Sequence, residues 1–140
     1  MVHALHEIQR VLIPGGYLID LRPFIEKPPL EIVSNDEIIP AGFVDTADGY
    51  LDDLAANEAM KQVEETGVFI REEAESFKLY QYWDSFTEFT TYMDEKSAMI
   101  LPPETRALAT ELVKNRAPDA RMRICRPMII ARYRKPFASG

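Results

Sequence analysis

Hydrophobic residues in the first part of the chain fall at helical spacing. Ala4, Leu5, Ile8, Val11 and Leu12 share one side, opposite His6, Glu7, Gln9 and Arg10, and this predicts an amphipathic helix. Pro14-Gly15-Gly16 predicts its stop, because proline cannot continue the hydrogen-bond ladder and glycine accepts positive φ. Tyr17-Leu18-Ile19-Asp20-Leu21 is almost continuously apolar, the pattern of a strand covered on both faces, and Pro23 closes it. Two further apolar runs, 30–34 and 38–44, flank Asn35-Asp36-Glu37 and predict a hairpin. Pro40 makes its second arm an edge or bulged strand.

Residues 51–65 read as a helix with Gly67 at its C-terminal cap. A long strand follows over 68–83, its second half rich in the strand formers Phe77, Leu79, Tyr80, Tyr82 and Trp83. Ser85 with Glu88 three residues on predicts a capping box, opening a short helix with Phe86, Phe89, Tyr92 and Met93. Pro102-Pro103-Glu104 opens another helix, with Leu108, Ala109, Leu112 and Val113 on its apolar side, and Ala117-Pro118-Asp119 ends it. The last strand, 121–134, alternates Arg121 and Arg123 with Met122 and Ile124, and Pro127 predicts a bulge or bend within it. Residues 135–140 read as a frayed tail.

These elements predict an α/β chain of 140 residues folded as one domain. A hydrophobic content of 46% with 28% charged residues is that of a globular rather than a disordered chain. No apolar run is long enough for a membrane-spanning helix, and the N-terminus lacks the layout of a signal peptide. The lone cysteine, Cys125, reads as a buried structural thiol in a reducing, cytoplasmic setting. The net charge of −7 is unevenly spread. Between Glu26 and Glu75 acids far outnumber Lys27, Lys61 and Arg71, whereas from Lys114 to Lys135 eight bases face only Asp119. A basic stripe can be a nucleic-acid footprint, but an acidic stretch is at hand to pair with it, and cross-strand charge pairing is the expectation here.

The segment Ala4-Leu-His-Glu-Ile-Gln-Arg-Val-Leu-Ile-Pro-Gly-Gly-Tyr-Leu-Ile-Asp20 resembles the helix, turn and strand found late in the Rossmann-like domain of class I S-adenosylmethionine-dependent methyltransferases. The usual form there is Arg-Val-Leu, one variable residue, Pro-Gly-Gly and a hydrophobic strand. Arg10-Val11-Leu12, Ile13, Pro14-Gly15-Gly16 and Tyr17-Leu18-Ile19 match it position by position. The resemblance implies a partial Rossmann-like methyltransferase sheet, mixed in strand direction. A terminal antiparallel pair of long strands, an inserted hairpin and flanking helices complete it. Only about the first 20 residues carry the recognisable motif.

S-adenosylmethionine is the cofactor of the complete family enzyme, and its site uses a glycine-rich loop between a strand and a helix. The glycines here are Gly15, Gly16, Gly42, Gly49, Gly67 and Gly140, and none forms such a loop. The expectation is therefore a C-terminal portion of a methyltransferase, truncated ahead of Met1, that binds no cofactor alone. Its acceptor would be a small molecule.

Open α/β sheets place ligands at the carboxyl ends of their strands. Asp20 and Arg22, at the end of the 17–21 strand, are candidate substrate-pocket residues on that ground, against a solvated strand end or a local ion pair. Tyr82 and Trp83, with Tyr80, are candidates for an acceptor pocket, against membership of the core. His3 and His6 form a helix-surface pair rather than a metal site. No catalytic residue can be assigned. The alternative function is a non-catalytic interaction module, or half of a split enzyme. It would assemble as a homodimer, or with an N-terminal-half partner, through an exposed strand edge. Neither nucleic acid nor a membrane is an expected partner.

Overall fold

A computed structural model describes residues 1–24, 27–46, 49–116 and 118–139, apart from the Tyr50 side chain. Ala117, part of the expected stop after the fourth helix, lies outside the described residues. The elements in chain order are α1 (Val2–Val11), β1 (Tyr17–Pro23), β2 (Pro29–Ser34), β3 (Glu37–Phe43), α2 (Gly49–Glu65), β4 (Ile70–Trp83), α3 (Phe86–Glu95), α4 (Pro103–Lys114) and β5 (Arg121–Arg134). The fold is mixed α/β with a five-stranded open sheet ordered β1-β5-β2-β3, and β4 also pairs with β5.

The β1–β5, β2–β5 and β2–β3 pairs are all antiparallel. Among the described residues β1 has no parallel neighbour, so the expected mixed sheet is not what these pairs form. The cause lies in β5, a 14-residue strand. Its first residues, 121–124, pair with β2, and 128–134 pair with β1. Pro127 falls between the two registers, in a strand that is otherwise continuous. A proline lacks the N–H that a ladder position requires, and this gap is where its absence costs least.

The chain divides into two compact units. The first comprises Met1–Ile25, Tyr50–Phe77 and Met128–Gly140. Its core joins Leu5 of α1, Ala59, Met60 and Val63 of α2, Phe69, and Ala131 and Tyr133 of β5. α1 ends as its sequence implies, in a turn whose Gly16 N–H donates to the Ile13 carbonyl at 2.9 Å. Gly15, at φ +77°, occupies the position after Pro14, where a type II turn requires glycine. The helix face differs from expectation: Leu5 is buried, Ile8 and Leu12 pack against the core, and Val11 is exposed. Lys135 is not frayed. Its N–H donates to Gly16, its carbonyl accepts from Gly15, and its Nζ donates to the Leu12 carbonyl at 2.6 Å.

β1 departs from its sequence reading. Tyr17, Ile19 and Leu21 are 53%, 56% and 54% exposed, so the strand is not covered on both faces. A continuous apolar run records local hydrophobicity; whether a layer lies over it depends on distant segments. α2 ends at a left-handed Gly67, φ +74°, with the Val68 N–H returning to the Val63 carbonyl at 2.9 Å. That cap absorbs residues 67–69, so β4 starts at Ile70.

The second unit comprises Glu26–Gly49 and Lys78–Pro127. Its core takes Leu30 and Ile32 from β2, Met122 and Ile124 from β5, Trp83, Phe89 and Met93, with Val44, Met99 and Ala109. The β2–β3 hairpin turns on Asn35 and Asp36, both at positive φ, the two-residue turn that matches strand twist. Glu37 therefore begins β3 instead of extending the loop. The register shifts between Pro29 and Glu31, opposite the Pro40–Phe43 part of β3. Ser85 caps α3 by accepting from the Glu88 N–H at 3.1 Å; Glu88 returns the bond to Asp84 N–H instead of Ser85.

The expected charge pairing is present inside each unit. Arg132 meets Glu73 at 3.3 Å and Arg134 meets Glu72 at 3.5 Å in the first. Arg123 meets Glu31 at 3.0 Å and Arg116 meets Glu37 at 3.6 Å in the second. Cys125 is buried and free. No helix among the described residues is long and apolar enough to cross a membrane.

Candidate functional site

In the first unit, β1 turns Asp20 and Arg22 to the same side, as residues two apart on a strand must be. The Arg22 Nε donates to both Asp20 oxygens, at 2.8 and 2.9 Å. The Arg22 Nη1 donates to the Asn57 Oδ1 on α2. Asp20 is 9% exposed. The two candidates at the strand end thus bind one another and are anchored by Asn57, the arrangement of a local ion pair. Such a charge-assisted contact is strong and holds its geometry.

Tyr133 lies one strand over, with Leu18 opposite it in register. Burial raises the pKa of its phenol, and the negative charges of Asp20 and Glu64 raise it further, while Arg71 and Arg22 act the other way. The site therefore holds a carboxylate clamped by a guanidinium and a phenol kept protonated well into alkaline solution. It can hold or donate hydrogen bonds. Sequence reasoning missed Tyr133, because its place next to Asp20 depends on the β1–β5 register.

The raised Tyr133 pKa predicts a pH effect. Below about pH 10, the ordinary tyrosine value, folded and unfolded states both keep the proton. As pH rises further the unfolded state releases it first, so stability falls. Tyr133→Phe is expected to flatten that alkaline decline. Urea unfolding midpoints of the two proteins, compared from pH 9 to about 11, check this; parallel declines would refute it.

In the second unit, Tyr82 and Trp83 are neighbours on β4 and therefore face opposite sides of the sheet. Trp83 belongs to the core, with its ring 5.1 Å from those of Phe89 and Tyr92. A shallow open groove of about 370 Å³ runs past its edge, lined by Trp83, Thr87, Glu88, Thr91, Tyr92 and Lys96. Tyr82 stands on the other side among arginines. Its hydroxyl accepts from the Arg123 Nη1 at 3.1 Å, and the Arg121 guanidinium lies 4.6 Å over its ring. Arg123 also lies 4.3 Å over Tyr80 and pairs with Glu31. Burial opposes charge on Arg123, but the bonds to Tyr82 and Glu31 outweigh it and hold the guanidinium charged. The alternation of arginines in β5 was legible in the sequence; their partners across the sheet were not.

His3 and His6 are exposed on α1. Among the described residues no cluster of His, Cys, Asp or Glu is placed to hold a metal ion. No protein-family model, curated protein or solved structure matches this chain.

Proposed function

We infer that this chain is the C-terminal portion of a class I, Rossmann-like, S-adenosylmethionine-dependent methyltransferase. The reading rests on one observation: α1 runs through Pro14-Gly15-Gly16 into the strand β1, the helix–turn–strand order that the resemblance requires. The order that follows β1 also supports it, since a helix and two 14-residue strands that pair with each other come after it. In the complete enzyme S-adenosylmethionine would be held by a glycine-rich segment that this sequence does not contain. Asp20 and Arg22 would then border the acceptor pocket. The acceptor would be a small molecule, methylated by positioning more than by acid–base chemistry. The reading places the complete protein in the cytoplasm.

Calorimetric titration of the purified chain with S-adenosylhomocysteine tests this. No binding is expected up to millimolar ligand, and micromolar binding would overturn the division of labour. The reading frame upstream of Met1 is the second arm, where a glycine-rich strand–loop–helix is expected in frame. A second reading, a non-catalytic interaction module, is favoured by the exposed Tyr17, Ile19 and Leu21 on β1.

A further inference from the structure

We propose that Arg126 of β5 binds the carboxylate of a small ligand through the Nε–Nη2 edge of its guanidinium. The inference stands apart from methyl transfer and starts from a charge without a counter-charge. On β5, Met122 and Ile124 point into the core of the second unit, and Arg126 follows them with the same parity. Its Nε is sealed from solvent and has no hydrogen-bond partner. Its Nη2 donates to the Sδ of Met99 at 3.0 Å, and a thioether is a weak acceptor. Among the described residues Arg126 forms no ion pair, whereas Arg123, Arg132 and Arg134 of the same strand meet Glu31, Glu73 and Glu72. The Nε atoms of Arg116 and Arg134 also lack a hydrogen bond, but each of those guanidiniums has a glutamate beside it. Arg121 is exposed to water and lies over the Tyr82 ring. Arg126 alone on β5 is part-buried without an acid or a ring. A desolvated charge in that state is costly, and a guanidinium cannot shed its proton to escape the cost. An anion that arrives from outside the chain relieves it.

The class of anion follows from the edge that is free. In Arg123 the same edge holds a carboxylate: Nε donates to the Glu31 Oε1 at 3.1 Å, and Nη2 lies 3.0 Å from that oxygen. In Arg126 the Met99 sulfur stands where that oxygen would be. A planar carboxylate matches two parallel N–H groups, and its single charge balances a single guanidinium. Phosphate brings roughly two charges near neutral pH and would need a second cation. Arg123 is committed to Glu31, and Lys27 to Asp45. Met99 is a displaceable cover, because an unbranched thioether side chain can swing aside and repack. The sealed position of Nε selects a small molecule, since the surface of a docked protein does not reach past a core methionine.

Nuclear magnetic resonance of the full chain reads the site at the atom concerned. The Arg126 Nε–H resonance, assigned by its loss in Arg126→Lys, is expected to shift saturably as sodium acetate replaces sodium chloride at constant ionic strength. Inorganic phosphate should bind at least tenfold more weakly, roughly. The urea midpoint of the parent should rise with acetate, because only the folded state holds the site. Arg126→Met removes the charge and keeps a flexible side chain, and its midpoint should not respond to acetate. If Arg126→Met fails to fold, Arg126→Lys, which lacks the planar fork, serves for the same comparison. An Nε–H resonance that acetate leaves unmoved, or a midpoint that rises equally in parent and variant, would overturn the proposal. Phosphate binding as tight as acetate would overturn the choice of a carboxylate.

Discussion

Phe89→Ala is expected to cost about 3–5 kcal/mol of folding stability, a large share of the roughly 5–15 kcal/mol available to a domain. Phe89 is fully buried in the second unit. Its ring meets Trp83 edge-on at 5.1 Å and Phe86 at 6.5 Å. Truncation removes the transfer free energy of the ring and leaves a cavity that its neighbours cannot readily fill. Trp83 is held by β4, and Phe86 by the first turn of α3, behind the Ser85 cap. The measurement is the urea midpoint, which should fall at constant slope. Trp83 is the single tryptophan, so its fluorescence reports the same event locally. A loss below about 1.5 kcal/mol would mean that the cluster collapses around the gap, contrary to the packing described.

Glu31→Ala is expected to be comparably damaging, about 3–5 kcal/mol, because it strands a buried charge. Arg123 is 9% exposed. Its Nε donates to the Glu31 Oε1 at 3.1 Å, its Nη2 lies 3.0 Å from the same oxygen, and its Nη1 donates to the Tyr82 hydroxyl at 3.1 Å. Without the carboxylate the guanidinium keeps Tyr82 and the Tyr80 ring but loses its counter-charge. Two variants separate this cause from simple loss of packing. Glu31→Gln retains an acceptor and should cost less than Glu31→Ala. The double variant Glu31→Ala with Arg123→Met removes both charges and should recover much of the loss, since a buried pair replaced by apolar groups is often neutral. Equal destabilisation in the single and double variants would show that the pair contributes through shape alone.

Both expectations depend on partners far apart in sequence, and that marks the boundary of what could be read without coordinates. Local signals were legible. The helix stop at Pro14-Gly15-Gly16, the left-handed Gly67 and the Ser85 cap are decided within a few residues by φ preference and capping chemistry. The hairpin was legible too, although Glu37 joined a strand because Asn35 and Asp36 alone can make the turn. The candidate residues Asp20 and Arg22 were found by their place on a strand, but their mutual bond and the anchor at Asn57 were not.

The sequence by itself determined which segments form helices and strands, the stops at Pro14-Gly15-Gly16 and Gly67, the alternation that puts Met122 and Ile124 inward, and the burial of Cys125. Propensity, capping and period are properties of neighbouring residues, so they survive without a partner. Tertiary structure alone decided that β5 serves β2 with one end and β1 with the other, and that Tyr133 lies near Asp20. It also decided that the apolar run of β1 keeps a half-exposed face. Register and layering are set by which distant segments meet, and the spacing of residues along one strand carries no record of what is laid against it.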